Sequence, residues 1–217
     1  MNSFAVYHWW DYPKDAPPYA NLRSPILLSI ATLRAVSDIP IVVLDLSYRN
    51  LYEWKHFPDK LGFKVHKIQP HLRNCQHIVD GWKYLSRFFD IRDNKDICEQ
   101  PNIIYVDSDV FWFKNPEPFM CSPDKMCVNR WNTGYFYFNK YQAKEFWDVF
   151  ESYTKSAIYS QEHRSLLKKY VGYDSWLGVW DEMTITYLAH ENPHVLNFLP
   201  HEEHAFTSNI QHADPAK

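Results

Sequence analysis

Residues 102–110 read NIIYVDSDV, a continuous apolar run that ends in two aspartates, Asp107 and Asp109. Apolar runs of this length are typical of buried strands in parallel sheets. Because the two aspartates are two residues apart, both carboxylates can face the same way and bind one hard cation. Open α/β sheets bind their ligands at the carboxyl ends of such strands. The segment predicts a central strand that ends in a site for Mg²⁺ or Mn²⁺, which prefer oxygen ligands.

The D-x-D pattern by itself also occurs in ordinary solvated acidic turns. Here an apolar run precedes the pair and FWFKNPEPF follows it at residues 111–119, so both acids lie at a strand end beside a turn. Two adjacent carboxylates in such a place repel one another unless a positive group lies between them. The context therefore favours a metal site over a solvated turn.

The sequence around this strand alternates strand-like and helix-like segments, which predicts an α/β fold. We expect it to be Rossmann-like in its first half, with a mostly parallel central sheet flanked by helices. Residues 1–217 contain no internal repeat and no Gly/Ser linker, so they are expected to form a single domain, either alone or as one module of a longer protein. Strands are predicted at 4–10, 39–47, 63–70 and 102–110, helices at 25–36, 51–60, 76–92, 141–155, 158–170 and 181–191, a loop and strand at 127–140, and a strand with irregular chain at 195–217.

The composition is that of a globular protein, with 46% hydrophobic residues, 23% charged residues and only five glycines. A formal net charge of −3 without a long basic run argues against a nucleic-acid partner. A bound nucleotide remains compatible with this charge, because a metal ion and a few basic side chains can neutralise a diphosphate. The aromatic content of 18% fits either an aromatic-rich core or side chains that pack against sugars.

Location is predicted from the apolar runs and the cysteines. The run at 25–36 is shorter than the roughly 20 residues that cross a bilayer, and the N-terminus has no basic segment followed by an apolar one. The four cysteines include no C-x-x-C pair, so reduced thiols are favoured over disulfides or a zinc site. We therefore expect a soluble, cytoplasmic protein with no membrane span.

Four motifs, in order along the chain, resemble the GT-A nucleotide-sugar glycosyltransferases, especially the glycogenin-like and bacterial galactosyltransferase-like members. IIYVDSDVFWFKNPEPF at 103–119 is similar to the D-x-D strand of that family, and WNTGYFYFN at 131–139 to its N-[AS]-G element. WDEMTITYL at 180–188 resembles the acidic pair that opens a helix near the reaction centre. HADPAK at 212–217 resembles the terminal His and Lys element, but it is one residue shorter and lacks the glycine.

The resemblance implies a GT-A fold and transfer of a hexosyl group, with retention favoured, from a nucleotide diphosphate sugar, preferably a UDP-sugar, to a glycan or glycoprotein hydroxyl. It implies Mn²⁺ or Mg²⁺ held by Asp107, Asp109 and His212, with His204 as the substitute for His212. Asp181 and Glu182 would lie at the reaction centre. The implied donor-binding residues are Tyr7, His8, Tyr19, Lys83 with Arg87 as its alternative, Ser108, Asn132, Thr133, Gly134 and Lys217. The sequence also resembles a glycosyltransferase domain from a large algal (chlorella) virus, and a viral origin would place the chain in a host cytoplasm.

Structural alternatives exist for several of these residues. Acids in a first helical turn, such as Asp181 and Glu182, are favoured by the helix dipole without any site role. Asn132 and Gly134 are also common turn residues. Tyr7, His8 and Tyr19 could be packing residues with no contact to a ligand.

Three other functions compete with glycosyl transfer as explanations of the sequence. A sugar nucleotidyltransferase also uses a two-carboxylate metal site, but the loop after its first strand is usually Gly-rich, whereas residues 11–24 here are proline-rich. A glycoside hydrolase needs carboxyl groups on opposite sides of the scissile bond. A non-catalytic carbohydrate-binding module would keep the aromatic residues and need neither metal nor nucleotide.

Overall fold

The computed structural model describes residues 3–9, 23–46, 56–72, 74, 82–94, 102–117, 124–129, 132–139, 141–163, 165–166, 180–198 and 205–207. Its strands are β1 Ser3–Trp9, β2 Ile41–Asp45, β3 Phe63–Lys67, β4 Asn102–Val106, β5 Val110–Trp112, β6 Met126–Asn129, β7 Asn132–Asn139, β8 Leu196–Phe198 and β9 Ala205–Thr207. Its helices are α1 Arg23–Val36, α2 Phe57–Leu61, α3 Trp82–Asp93, α4 Lys144–Tyr159 and α5 Trp180–Glu191, and a 3₁₀ turn covers Pro193–Val195.

A seven-stranded sheet with the order β3-β2-β1-β4-β7-β6-β8 forms the centre of the fold. β1 pairs in parallel with both β2 and β4, and β2 pairs in parallel with β3. β7 runs antiparallel to β4 and β6, while β6 and β8 are parallel. The predicted α/β fold with a mostly parallel sheet is confirmed, and the carboxyl ends of β1, β2 and β4 lie at one edge.

Helices cover both faces of this sheet. The apolar positions of α1 pack on one face, and those of α3, α4 and α5 pack on the other. The α1 side uses Ile26, Ile30 and Leu33, and the opposite side uses Leu85, Phe88, Phe146, Phe150, Ile185 and Leu188. Since successive residues of a strand point to opposite faces, Tyr7 of β1 faces α1 while His8 faces the layer of α3.

The predicted strand over 102–110 is wrong in its last part. β4 ends at Val106, residues 107–109 turn, and β5 begins at Val110 in a separate two-stranded sheet with β9. The reason is local, because Asp and Ser favour turns by bonding to nearby backbone and the Val110 N–H donates to the Asp107 carbonyl at 3.3 Å. The loop predicted at the start of 127–140 is also wrong, since β6 occupies Met126–Asn129. The break after Val106 sets the two aspartates on a turn at the sheet edge.

Thr154 of α4 is 1% exposed, and its hydroxyl has no hydrogen-bond partner in the part of the chain that the structure describes. Burying a hydroxyl without a partner costs about 1–3 kcal/mol. We therefore expect Thr154→Val, which keeps the shape, to leave the free energy of unfolding unchanged or raise it by about 1 kcal/mol. Urea denaturation measures this, and a loss greater than about 1 kcal/mol would show that the hydroxyl is in fact hydrogen-bonded.

None of the helices in the described ranges combines the length and the apolarity required to cross a membrane.

Candidate functional site

The turn that carries Asp107 and Asp109 is attached to two neighbouring elements. The Asp107 N–H donates to the Gly134 carbonyl of β7 at 2.6 Å. Gly134 belongs to the N-T-G segment, so the two motifs singled out in the sequence are in direct backbone contact. Ser108, between the two aspartates, is partly exposed, as are both aspartates. The turn therefore presents two carboxylates at the carboxyl edge of the sheet, where α/β folds bind ligands.

Arg87 of α3 connects this turn to α5. Arg87 is only 4% exposed, and its Nη1 donates to Asp107 Oδ1 at 2.8 Å. Its Nη2 forms an ion pair with Oδ2 of Asp181, which is fully buried in the first turn of α5. One buried cation thus brings together two carboxylates that are far apart in sequence, those of Asp107 and Asp181.

Tyr105 also belongs to this cluster, although the sequence motifs did not predict it as a site residue. Its hydroxyl donates to Asp107 Oδ1 at 2.6 Å and accepts from Arg87 Nη1 at 3.2 Å. The Arg87 guanidinium also lies 4.7 Å from the centre of the Tyr105 ring, within the range of a cation–π contact. A signal was present, because a residue two positions before Asp107 on an extended strand shares its face.

Electrostatics at the turn favour a bound cation. Burial, joined by the negative charge of Asp107, raises the pKa of Asp109 to about 6. Burial also raises the pKa of Asp107, although Arg87 and the Tyr105 hydroxyl oppose the change. Burial by itself would lower the pKa of Arg87. The effects of Asp181, Tyr105 and Asp107 outweigh that of burial, so the pKa of Arg87 lies well above its ordinary value. The arginine therefore stays charged and neutralises only part of the acidic cluster.

The two carboxylates fit an oxygen-seeking divalent ion. Asp107 uses Oδ1 for Arg87 and Tyr105, and its side chain keeps 33% exposure for a further ligand. Among the side chains that the structure describes, no basic group lies within 4 Å of the Asp109 carboxylate, so this carboxylate is a suitable metal ligand. No group of three or more His, Cys, Asp or Glu side chains in those ranges forms a complete metal site. A third protein ligand would have to come from residues such as His212, which lies outside them.

A second buried polar group lies beside Tyr105 on the same face of the sheet. The His8 ring is 5.5 Å from the Tyr105 ring, and its Nε2 is 3.5 Å from Asp90 Oδ2 of α3. Asp90 Oδ1 accepts from the His71 N–H at 2.6 Å and from the Ser86 hydroxyl at 3.1 Å. His8 therefore faces the same layer as Arg87 and lies between Tyr105 and Asp90.

Tyr7 has a different position from its neighbour. It is fully buried against α1, and its hydroxyl lies 3.0 Å from the Ser29 Oγ. Burial raises its pKa, although its contacts with Ser29 and Trp112 oppose the change. This geometry gives the Tyr7 side chain a packing role, and its predicted role in donor binding stays a prediction.

The remaining predicted site residues are placed only in part. Lys83 lies in α3, Glu182 in α5, and Asn132 and Thr133 in β7, but their side chains are outside the described part of the structure. Tyr19, His204, His212 and Lys217 lie outside the described residues altogether. The roles assigned to these residues stay predictions.

The pKa of Asp109 gives a stability prediction for Asp109→Asn. Because its folded-state pKa of about 6 exceeds the ordinary 3.8, the folded protein loses stability as the pH rises from about 4 to about 6. Asparagine removes this loss, so we expect the metal-free variant to be about 1–3 kcal/mol more stable at pH 8 and unchanged near pH 4. Urea denaturation at both pH values measures the difference. An equal gain at both would contradict the electrostatic explanation.

The fold is shared with solved sugar-transferring enzymes. No protein-family model matches the sequence, and no curated protein matches it in sequence. Solved glycosyltransferases, however, superpose on nearly the whole chain. The protein therefore has the GT-A glycosyltransferase fold.

Two of these neighbours illustrate the match. Mouse xyloside xylosyltransferase 1, in its apo form, aligns with 91% of this chain and 85% of its own, at a TM-score of 0.56 and 14% identity. The galactosyltransferase LgtC, solved with donor and acceptor sugar analogues, aligns with 90% of this chain and 72% of its own, at a TM-score of 0.55 and 12% identity. At such low identity the likeness shows the fold alone, and the activity must be argued from the site.

Proposed function

We propose that this protein is a metal-dependent glycosyltransferase that moves a hexosyl group from a nucleotide diphosphate sugar to a hydroxyl of a glycan or glycoprotein. The observation that carries the proposal is the ion pairing of Arg87 with both Asp107 and Asp181. It joins the D-x-D turn to the first turn of α5 at the carboxyl edge of the sheet. A UDP-sugar is the donor we favour, on the resemblance of the sequence motifs to the GT-A enzymes.

Asp107 and Asp109 would hold Mn²⁺ or Mg²⁺, with His212 as the third protein ligand. A divalent ion at this place supplies positive charge that stabilises the diphosphate as it leaves. Asp107 is ready for this role because Arg87 and Tyr105 fix one of its oxygens and the side chain is partly exposed. Lys83 would add positive charge from α3, and Ser108, Asn132, Thr133 and Gly134 would line the donor site.

Asp181 and Glu182 would act at the transferred sugar from the first turn of α5. Asp181 is buried and held by Arg87, so it would act by fixing the start of this helix relative to Asp107. Glu182, the next residue, would be the one beside the sugar, and a fixed helix start gives such a group the orientation that it needs. We favour transfer with retention, which requires no strong general base beside the acceptor.

Slow hydrolysis of the donor tests this proposal without knowledge of the acceptor. We expect the protein to release UDP from at least one UDP-hexose in the presence of Mn²⁺ and to stop when EDTA is added. The released UDP can be followed by chromatography over a panel of UDP- and GDP-sugars. Hydrolysis that continues unchanged in EDTA would contradict the metal dependence, and no release from any donor would count against the transferase proposal.

A further inference from the structure

Two hydroxyl groups of α1 contact β5, the strand that begins directly after Asp109. The Ser29 Oγ donates to the Val110 carbonyl, and the Trp112 N–H donates to the Thr32 Oγ1 at 3.2 Å. Ser29, Val110 and Trp112 are all buried, with exposures of 0%, 0% and 2%. Because water does not reach these groups, losing either hydroxyl would leave a buried backbone group without its partner.

The hydroxyls of Ser29 and Thr32 are themselves oriented by further bonds. Since Ser29 gives its proton to Val110, the Tyr7 hydroxyl, 3.0 Å away, donates to the Ser29 Oγ. Thr32 donates its own proton to the Ser29 carbonyl at 2.8 Å, so its oxygen is turned toward the Trp112 N–H. A continuous set of hydrogen bonds therefore runs from β1 through α1 to β5.

These hydrogen bonds fix the C-terminal end of the turn at residues 107–109, which lies outside the central sheet. The start of the turn is fixed by the bond from the Asp107 N–H to the Gly134 carbonyl. The other end passes into β5, a strand of three residues that pairs with the equally short β9 outside the central sheet. Such a short pair is a weak support by itself. The position of the Asp109 backbone thus depends on the contacts of β5 with α1.

We infer that Ser29 and Thr32 are positioning residues for the metal site, fixing the backbone after Asp109 so that its carboxylate is held next to that of Asp107. This inference rests on the proposed function, because it assumes that the two aspartates bind a divalent ion. The two hydroxyls bond to the backbone of Val110 and Trp112, so they act on the aspartates through β5. Removing groups that orient metal ligands commonly lowers metal affinity by about 10-fold or more.

The test compares Mn²⁺ affinity among four variants of the full chain. Ser29→Ala and Thr32→Val remove the two hydroxyls, Thr32→Ser keeps the second one, and Thr154→Val removes a buried hydroxyl from α4. Mn²⁺ binding is measured by electron paramagnetic resonance of the free ion, and hydrogen exchange is measured at the backbone amides of Asp109 and Val110. Thr32 is only partly buried, so its variants remain informative if Ser29→Ala does not fold.

We expect Ser29→Ala and Thr32→Val to weaken Mn²⁺ binding about 10-fold and to speed exchange at the two amides, while Thr32→Ser and Thr154→Val stay near the unmodified protein. Wild-type affinity in folded Ser29→Ala and Thr32→Val would overturn the inference. An equal loss of Mn²⁺ affinity in Thr154→Val would also overturn it, because it would indicate a general loosening of the structure.

If the unmodified protein binds no Mn²⁺, the proposed function fails separately. Amide exchange then decides whether α1 anchors the turn, and unchanged exchange overturns the inference.

Discussion

Arg87→Met is expected to lower the free energy of unfolding by about 3–5 kcal/mol at pH 8. The substitution leaves two carboxylates, those of Asp107 and Asp181, without the buried cation that pairs with both of them. Methionine fills much of the same volume, so the loss measures the missing charge and hydrogen bonds more than a cavity. Denaturation in urea gives the value directly.

The loss in Arg87→Met should shrink as the pH falls. Without the arginine, Asp107 in the folded protein binds its proton more strongly than in the unfolded chain, so stability is lost as the pH rises and recovered near pH 4. Arg92→Met on the same helix is the matched control, because Arg92 is partly exposed and pairs with Asp93 and Glu151 near the surface. It should cost about 1 kcal/mol or less at either pH. Equal losses in the two variants would show that Arg87 has no special role.

The double variant Asp107→Asn/Asp109→Asn is expected to lose glycosyl transfer or donor hydrolysis by about 10³-fold or more. Amides are poorer ligands than carboxylates for a hard divalent ion, so the charge that stabilises the leaving diphosphate would be missing. The comparison is the initial rate with the best donor at saturating Mn²⁺. Asp148→Asn, an exposed aspartate on α4, is the control and should keep full activity.

Activity and stability should change in opposite directions at Asp109. Burial beside Asp107 makes its charge unfavourable to the metal-free fold, so the amide at this position is expected to stabilise the protein as it removes activity. Such a trade-off is typical of functional sites, where local stability is given up for chemistry. A single Asp109→Asn variant that lost activity only because it failed to fold would contradict this explanation.

The sequence was informative wherever periodicity and spacing carry the signal. The apolar run before Asp107 predicted a central strand, and its alternation with helix-like segments predicted the α/β sheet, both of which the structure contains. The acidic pair at the start of WDEMTITYL predicted a helix beginning there, and α5 begins at Trp180. These features depend on residues close together in the chain, which is why a local pattern is sufficient.

Contacts between distant segments were harder to predict. Lys83 and Arg87 lie one turn apart on α3, and nothing local indicated that Arg87 would be the buried partner of Asp107 and Asp181. That arrangement depends on how α3 and α5 pack on the sheet. The opposite faces of Tyr7 and His8 could have been predicted, since neighbouring residues on a strand alternate. The hydrogen bond between Ser29 and β5 joins residues that are 81 positions apart in sequence, and no local sequence pattern predicts such a contact.

Calorimetric titration of UDP, first with Mn²⁺ and then with EDTA, tests the central claim most directly when it is repeated on Asp107→Asn/Asp109→Asn. The proposed donor site predicts binding that requires Mn²⁺ and that the double variant loses, while Asp148→Asn binds as the unmodified protein does. Binding that persists in EDTA and in the double variant would contradict a metal site at the D-x-D turn. If UDP, GDP and their sugars fail to bind under every metal condition, the glycosyltransferase proposal is wrong.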